Sequence, residues 1–169
     1  MLLVMYAASL HSNHTSLLPG VALLHLHLAT SLYAGDVKER SSHLCEALTF
    51  LTPSLHHLST RRSTFLCGAA GPLALGAVVH AHLGNMKDAR ACIVQLKDLY
   101  VKNKQSFAAL PSELLFGHAG YLYALLFVNC HAPGAVEDTL IEEVQQHVYV
   151  TGEYSIVVSS LCCVNMCRW

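Results

Sequence analysis

Twelve histidines and seven cysteines in a chain of 169 residues are the side chains that could ligate a metal, move a proton or attack as a nucleophile. Their spacing decides how far that chemistry goes. Cys162, Cys163 and Cys167 form a terminal cluster of soft ligands. The cluster lacks the Cys-x-x-Cys spacing of a structural zinc site and has no second pair nearby, so it reads as incidental. His25 with His27, and His80 with His82, stand two apart, which on a helix places them on nearly opposite faces. Chelation along a helix needs four-residue spacing, so packing or a hydrogen bond is their expected role. His118, next to Gly117, is the histidine expected at the mouth of a predicted helix, where a ligand could reach it. A helix start there could hold an anion; the plainer reading is that its glycines let helix and loop approach closely. Cys67 precedes a glycine at a helix start, a place that can lower a thiol pKa, while its apolar neighbours argue for burial. Asp36, Glu39 and Asp88 are explained by helix capping and Glu142-Glu143 by a solvated face, leaving no paired carboxylates for acid–base work.

The elements that would position these groups are apolar. Charged residues make up 12% of the chain and hydrophobic ones 53%, against roughly 25% charged in ordinary soluble domains. So much apolar surface excludes an intrinsically disordered chain. A net charge of −1 carries no basic excess of the kind nucleic-acid binding leaves, so no nucleic-acid partner is expected. Cys45, Cys67, Cys92 and Cys130 sit in apolar stretches, and the odd total favours a reducing compartment over a disulfide framework. Met1 to Leu10 is apolar but lacks the basic start of a secretory signal, and the Asn13-His14-Thr15 sequon matters only for an exported chain. Ser63–Met86 carries no charge, yet Gly68, Gly71, Pro72 and Gly76 interrupt it. Leu114–Val128 has 15 residues, short of the roughly 20 that a membrane span needs. Both read as helices buried within a protein.

An internal repeat organises these stretches. Thr64-Phe65-Leu66-Cys67-Gly68-Ala69-Ala70-Gly71 aligns with Glu113-Leu114-Leu115-Phe116-Gly117-His118-Ala119-Gly120, each followed by an apolar run. Opening glycines at Gly20, Gly71 and Gly120 are 51 and 49 apart, and closing glycines at Gly35, Gly84 and Gly134 are 49 and 50 apart. In the first unit Leu17 stands where the leading glycine belongs. Pro72 marks a helix start, and Gly84 and Gly35 are read as helix-ending glycines in the left-handed conformation. Asp36 with Glu39, and Asn85 with Asp88, then cap a second helix. That second helix is amphipathic: Ala89, Cys92, Ile93, Leu96, Leu99 and Tyr100 share one face, as do Val136, Leu140, Ile141, Val144 and Val148. Each unit is therefore a hairpin of one buried and one half-exposed helix. The period lies just above that of HEAT-type units, and an all-α, two-layer α/α toroid of repeated hairpins, here incomplete, is the expected architecture.

The two Gly-x-Ala-Gly stretches, Thr64–Ala74 and Glu113–Leu126, closely resemble eukaryotic LanC-like proteins, relatives of bacterial lanthionine synthetase C, with weaker similarity from Gly20 through Gly152. The resemblance implies a zinc held by two Cys and one His, and addition of the glutathione thiol to dehydroalanine- or dehydrobutyrine-type residues of peptides or proteins. It implies a cytoplasmic protein, with part at the membrane or nucleus. In the family the ligands lie in Cys-His-Gly and related motifs of later hairpins. Cys130-His131-Ala132-Pro133-Gly134 is superficially similar, but it falls at the end of an inner helix, whereas the ligand motif stands just before one. No catalytic, cofactor-binding or metal residue is therefore assigned, and no zinc is expected in this chain. The expected division is a divergent segment 1–15, about three hairpins over 16–154, and a divergent Cys-rich tail 155–169, as in a truncated or spliced product. The alternative is a helical-repeat interaction module without enzymatic activity, associating through apolar faces at the open ends of the arc.

Overall fold

The computed structural model describes residues 18–151, apart from 103, 105, 106, 108 and 109. The segments 1–15 and 155–169, with the sequon and the tail cysteines, lie outside the described residues. Among the described residues the fold is all-α, with three hairpins in chain order. The first pairs α1 (Leu18–His27) with α2 (Val37–His56), the second α3 (Ala70–His82) with α4 (Met86–Val101), and the third α5 (His118–His131) with α6 (Asp138–Thr151). Helices α1, α3 and α5 lie in sequence beside one another, and each is backed by its own hairpin partner. No helix among the described residues is long and apolar enough to cross a membrane.

The two kinds of helix differ as their sequences require. In α3 every residue from Ala70 to Val79 is buried, because the helix is covered on all sides. In α4 only the stripe Ala89, Cys92, Leu96, Leu99 and Tyr100 is buried, with its charges facing outward. One continuous core joins Leu26, Leu51, Leu73, Leu96 and Leu125 from five of the helices. Tyr121 ties the second and third hairpins together, donating its buried hydroxyl to the Leu96 carbonyl at 2.8 Å.

The helix ends show where short-range reading succeeds. Asp36 caps α2, its carboxylate accepting from the Lys38 and Glu39 amides at 3.0 and 3.1 Å. Gly84 ends α3 at φ +79°, and the Asn85 amide donates back to the His80 carbonyl at 2.8 Å, closing a Schellman turn. Gly134 adopts φ +77° after α5. Two expectations are corrected. Gly35 is not in the left-handed region; α1 instead runs out through a π-helical turn, Leu28–Leu32, closed by the Tyr33 amide on the Leu28 carbonyl. Asn85 precedes α4 but makes no side-chain cap bond. Pro72 is the third residue of α3, still within the turn whose amides have no intrahelical partner.

The glycines that open α3 and α5 are set by sterics, whereas a Cβ on Gly20 of α1 would meet nothing within 4 Å. A Cβ on Gly117 would lie 1.9 Å from the Pro111 carbonyl oxygen, whereas one on Gly35 would meet nothing within 4 Å. Gly117→Ala should therefore force a backbone shift and lower unfolding free energy by about 3 kcal/mol. Gly35→Ala should be neutral or stabilising by up to about 1 kcal/mol. Urea unfolding of the two variants checks the contrast, and equal midpoints would contradict it.

Candidate functional site

The sequence places its most specific motifs in the turns that enter α3 and α5, and the two turns are built alike. In each, the amide after the leading glycine reaches back seven residues: Ala69 to the Arg62 carbonyl and His118 to the Pro111 carbonyl, both at 2.9 Å. In each, the opening glycines press on a carbonyl six residues back: Gly68 on Arg62, Gly71 on Phe65, Gly117 on Pro111 and Gly120 on Leu114. Thr64 and Glu113 occupy equivalent places. The Thr64 hydroxyl accepts from the Cys67 amide at 3.3 Å, and the Glu113 carboxylate accepts from the Phe116 amide at 2.7 Å. The turns also lock onto each other, with the Phe65 amide donating to the Gly120 carbonyl at 3.1 Å and the Thr64 hydroxyl to the Leu115 carbonyl at 2.8 Å. The Phe65 ring packs on Tyr123 and Phe127 of α5, with centroids at 4.8 and 5.2 Å.

His118 corrects the sequence expectation. It is fully buried and reaches no ligand-accessible mouth. Its Nε2–H donates to the Phe107 carbonyl, and its ring stacks on His147 with centroids 5.4 Å apart. Burial, together with His147, holds its pKa below the ordinary 6.5, partly opposed by the bond to Phe107. The plainer reading of the neighbouring glycines, close backbone approach, is the one the geometry bears out.

A second group gathers at the far ends of α3 and α5. His82 and His131 stand 49 residues apart, one repeat, and their rings meet edge to face with centroids 5.9 Å apart. The Arg40 guanidinium donates to His82 Nδ1 at 3.2 Å, which places the His82 proton on Nε2. That nitrogen and His80 Nδ1 are buried without a hydrogen-bond partner among the described residues. Burial pushes His82 down, aided by Arg40; burial pushes His131 down, aided by His82. Periodicity alone missed the His82–His131 contact, although the shared repeat position was the signal for it. His25, the other histidine singled out on α1, meets His43 of α2 at 3.0 Å between Nδ1 atoms, and His27 Nδ1 lies 3.4 Å from the Ser31 hydroxyl.

The described residues do not fit a zinc ion. No three His, Cys, Asp or Glu among them converge to hold a metal. Cys130 and His131 are adjacent in the last turn of α5, and His131 faces a pair already occupied by the Arg40 cation, where a dication would be repelled. Thiol attack has no better footing. Burial raises the Cys67 thiol, with Glu113 adding to the rise against Arg62, and burial raises Cys92 to about 11. A protonated thiol is a poor nucleophile.

Comparison with known proteins adds identity to this geometry. The family model described as "Lanthionine synthetase C-like protein" matches residues 16–159. The chain is 44% identical over 110 residues to "Glutathione S-transferase LANCL1" of Danio rerio, covering 65% of this chain and 26% of that protein. It is 25% identical over 125 residues to "LanC-like protein GCL1" of Arabidopsis thaliana, covering 70% of this chain and 29% of that protein. The chain thus spans between a quarter and a third of the length of these curated relatives.

The three depressed histidines set a pH dependence. Because His82, His118 and His131 bind protons less readily folded than unfolded, their contribution to stability is complete above the ordinary value of 6.5 and is lost as the pH falls below it. Urea midpoints should fall between about pH 7.5 and pH 5. A midpoint that is flat or rises on acidification contradicts the assignment.

Proposed function

The chain belongs to the lanthionine synthetase C-like family, and we propose that its three hairpins are an arc of the helical ring on which complete members add the glutathione thiol to dehydroamino-acid residues. The reaction joins sulfur to the β-carbon of dehydroalanine or dehydrobutyrine, moves the π-electron pair toward the carbonyl, and returns a proton to the α-carbon. It needs a thiolate at neutral pH, which a zinc ion held elsewhere in a complete protein would supply by keeping the sulfur deprotonated. In this reading the zinc, with its two Cys and one His, belongs to other hairpins of a complete protein. The arc contributes shape: α3 and α5 stand beside each other in a fixed register, held by the turns that precede them. We assign it no catalytic, cofactor-binding or metal-ligating residue, and place it in the cytoplasm, where glutathione is abundant and thiols stay reduced.

The observation that carries the reading is the pair of matched turns, Arg62–Ala69 and Pro111–His118, closed by identical back-bonds within the region matched to the family. The name of the zebrafish relative supports glutathione as the thiol. The raised Cys67 and Cys92 thiols support a scaffolding role over a nucleophilic one. One observation favours the second reading, an interaction module: Leu24 and Val37 of the first hairpin are 42% and 83% exposed.

Two measurements test the proposal. The purified chain should carry well under one zinc per molecule and add no glutathione to a dehydroalanine peptide, followed by mass. A chimera in which residues 18–151 replace the matching segment of the zebrafish relative should retain glutathione-dependent addition. Stoichiometric zinc with turnover by the chain alone, or a folded chimera without activity, would overturn the assignment.

A further inference from the structure

Each hairpin sends one guanidinium or imidazole to a common point at the C-terminal ends of α3 and α5. The first supplies Arg40 from α2, the second His82 from α3 and the third His131 from α5. Arginine keeps its protons throughout the pH range in which imidazole titrates, so in the 3.2 Å contact the guanidinium can only donate and His82 Nδ1 can only accept. An imidazole nitrogen accepts only while it carries no proton. This tie between α2 and α3 therefore exists in one protonation state of His82 and is lost in the other.

The surroundings offer a charged His82 nothing in exchange. Its Nε2–H is already buried without an acceptor among the described residues, so a second N–H at Nδ1, aimed at a guanidinium, adds a charge that no neighbour offsets. On its own helix His80 is the nearby titratable group. From α2 the charge acting on His82 is Arg40, and from α5 it is faced by His131, on which it acts in turn; among the described residues no carboxylate acts on either ring. Asp88 of α4 acts instead on Cys92, and Glu137, just before α6, pairs with Lys97 at 2.8 Å. On α1, His27 turns to Ser31 and His25 to His43. The opposite end of α3 is built differently. There the second hairpin holds the third through an amide, a hydroxyl and two carbonyls, none of which titrates near neutral pH. His118 and His147 titrate inside the third hairpin, where their rings join α5 to α6.

We propose that the Arg40–His82 contact is an acid-sensitive joint: a proton taken up from solvent at His82 Nδ1 expels the guanidinium, and the start of α2 moves away from the end of α3 while the glycine turns keep the second and third hairpins together. No covalent bond changes; one hydrogen bond breaks for one proton gained. His131 strengthens the response, because once charged it sets a further cation beside the same two groups. Movement is confined to the Arg40 end of α2. Farther along that helix Leu55 rests on α3 at Gly76, an apolar contact that acid leaves intact. The inference rests on this contact and not on glutathione chemistry, so its failure is separable from failure of the proposed function.

Hydrogen–deuterium exchange of the purified chain tests it, read by mass on peptic fragments and corrected for the intrinsic pH dependence of exchange. Between about pH 7.5 and about pH 5.5, protection of residues 37–48 and 80–85 should fall by more than about fivefold, while residues 64–70 should hold within about twofold. His82→Gln keeps an acceptor for Arg40 and has no proton to gain, so protection of residues 37–48 should differ by less than about twofold between the two conditions. Arg40→Met removes both donor and charge. It should leave residues 37–48 less protected than in the wild type at the higher pH, with no further fall at the lower one. Helical circular dichroism at the higher pH identifies the variants that fold, and either one suffices. Unchanged protection of residues 37–48 in the wild type, an equal fall in residues 64–70, or a folded variant whose protection falls with pH as the wild type's does would each overturn the proposal.

Discussion

The structure depends on one steric constraint: in the turns before α3 and α5, backbone meets backbone more closely than any Cβ permits. At Gly68, Gly71, Gly117 and Gly120 an added Cβ would lie between 1.9 and 2.4 Å from a carbonyl oxygen six residues earlier. Such an approach coils the chain tightly enough for the amide after the leading glycine to reach a carbonyl seven residues back. The turn before α3 then presents one amide and one hydroxyl outward at fixed positions, and these find carbonyls of the turn before α5 and of its first residues. Register between neighbouring inner helices follows from that contact rather than from side-chain packing alone. The alanines of α3, Ala70, Ala74 and Ala77, are buried, small side chains suiting a helix that the turn has already brought close to its neighbours.

The same constraint explains what was legible in the sequence. A glycine that must touch backbone is irreplaceable locally, so the pairs Gly68/Gly71 and Gly117/Gly120 stand out by spacing, and with them the hairpin repeat and the buried or half-exposed character of each helix. Gly84 and Gly134 were equally legible, because a positive φ is a property of one residue. Gly35 shared their spacing and not their conformation, since the π-helical turn at Leu28–Leu32 had already ended α1 by another route. Spacing reports a repeated position; it does not report how each unit solves the geometry there.

The histidines were the least legible part. His118 sits beside a glycine and looked reachable, but its partners are Phe107, eleven residues earlier, and His147, on α6, neither of which the repeat pattern ties to it. His82 read as a packing residue and His131 as part of a superficial Cys-His motif; the two instead face each other, with Arg40 of α2 completing the group. An all-helical protein with so few charges must still satisfy or neutralise its interior polar groups, and neutral imidazole serves that purpose as both donor and acceptor. The sequence showed how many histidines there were; which pairs form depends on the register that the glycine turns impose.

The two turns are matched but not interchangeable, and the difference lies in one side chain. Thr64 serves its own turn by accepting from the Cys67 amide and serves the junction by donating to Leu115. Glu113 does the first task more strongly, accepting from both the Leu115 and Phe116 amides at 3.4 and 2.7 Å. As a carboxylate it has no proton to donate, so it cannot do the second. The third turn thus holds itself more firmly, while the second divides its one side chain between its own closure and the grip on its neighbour.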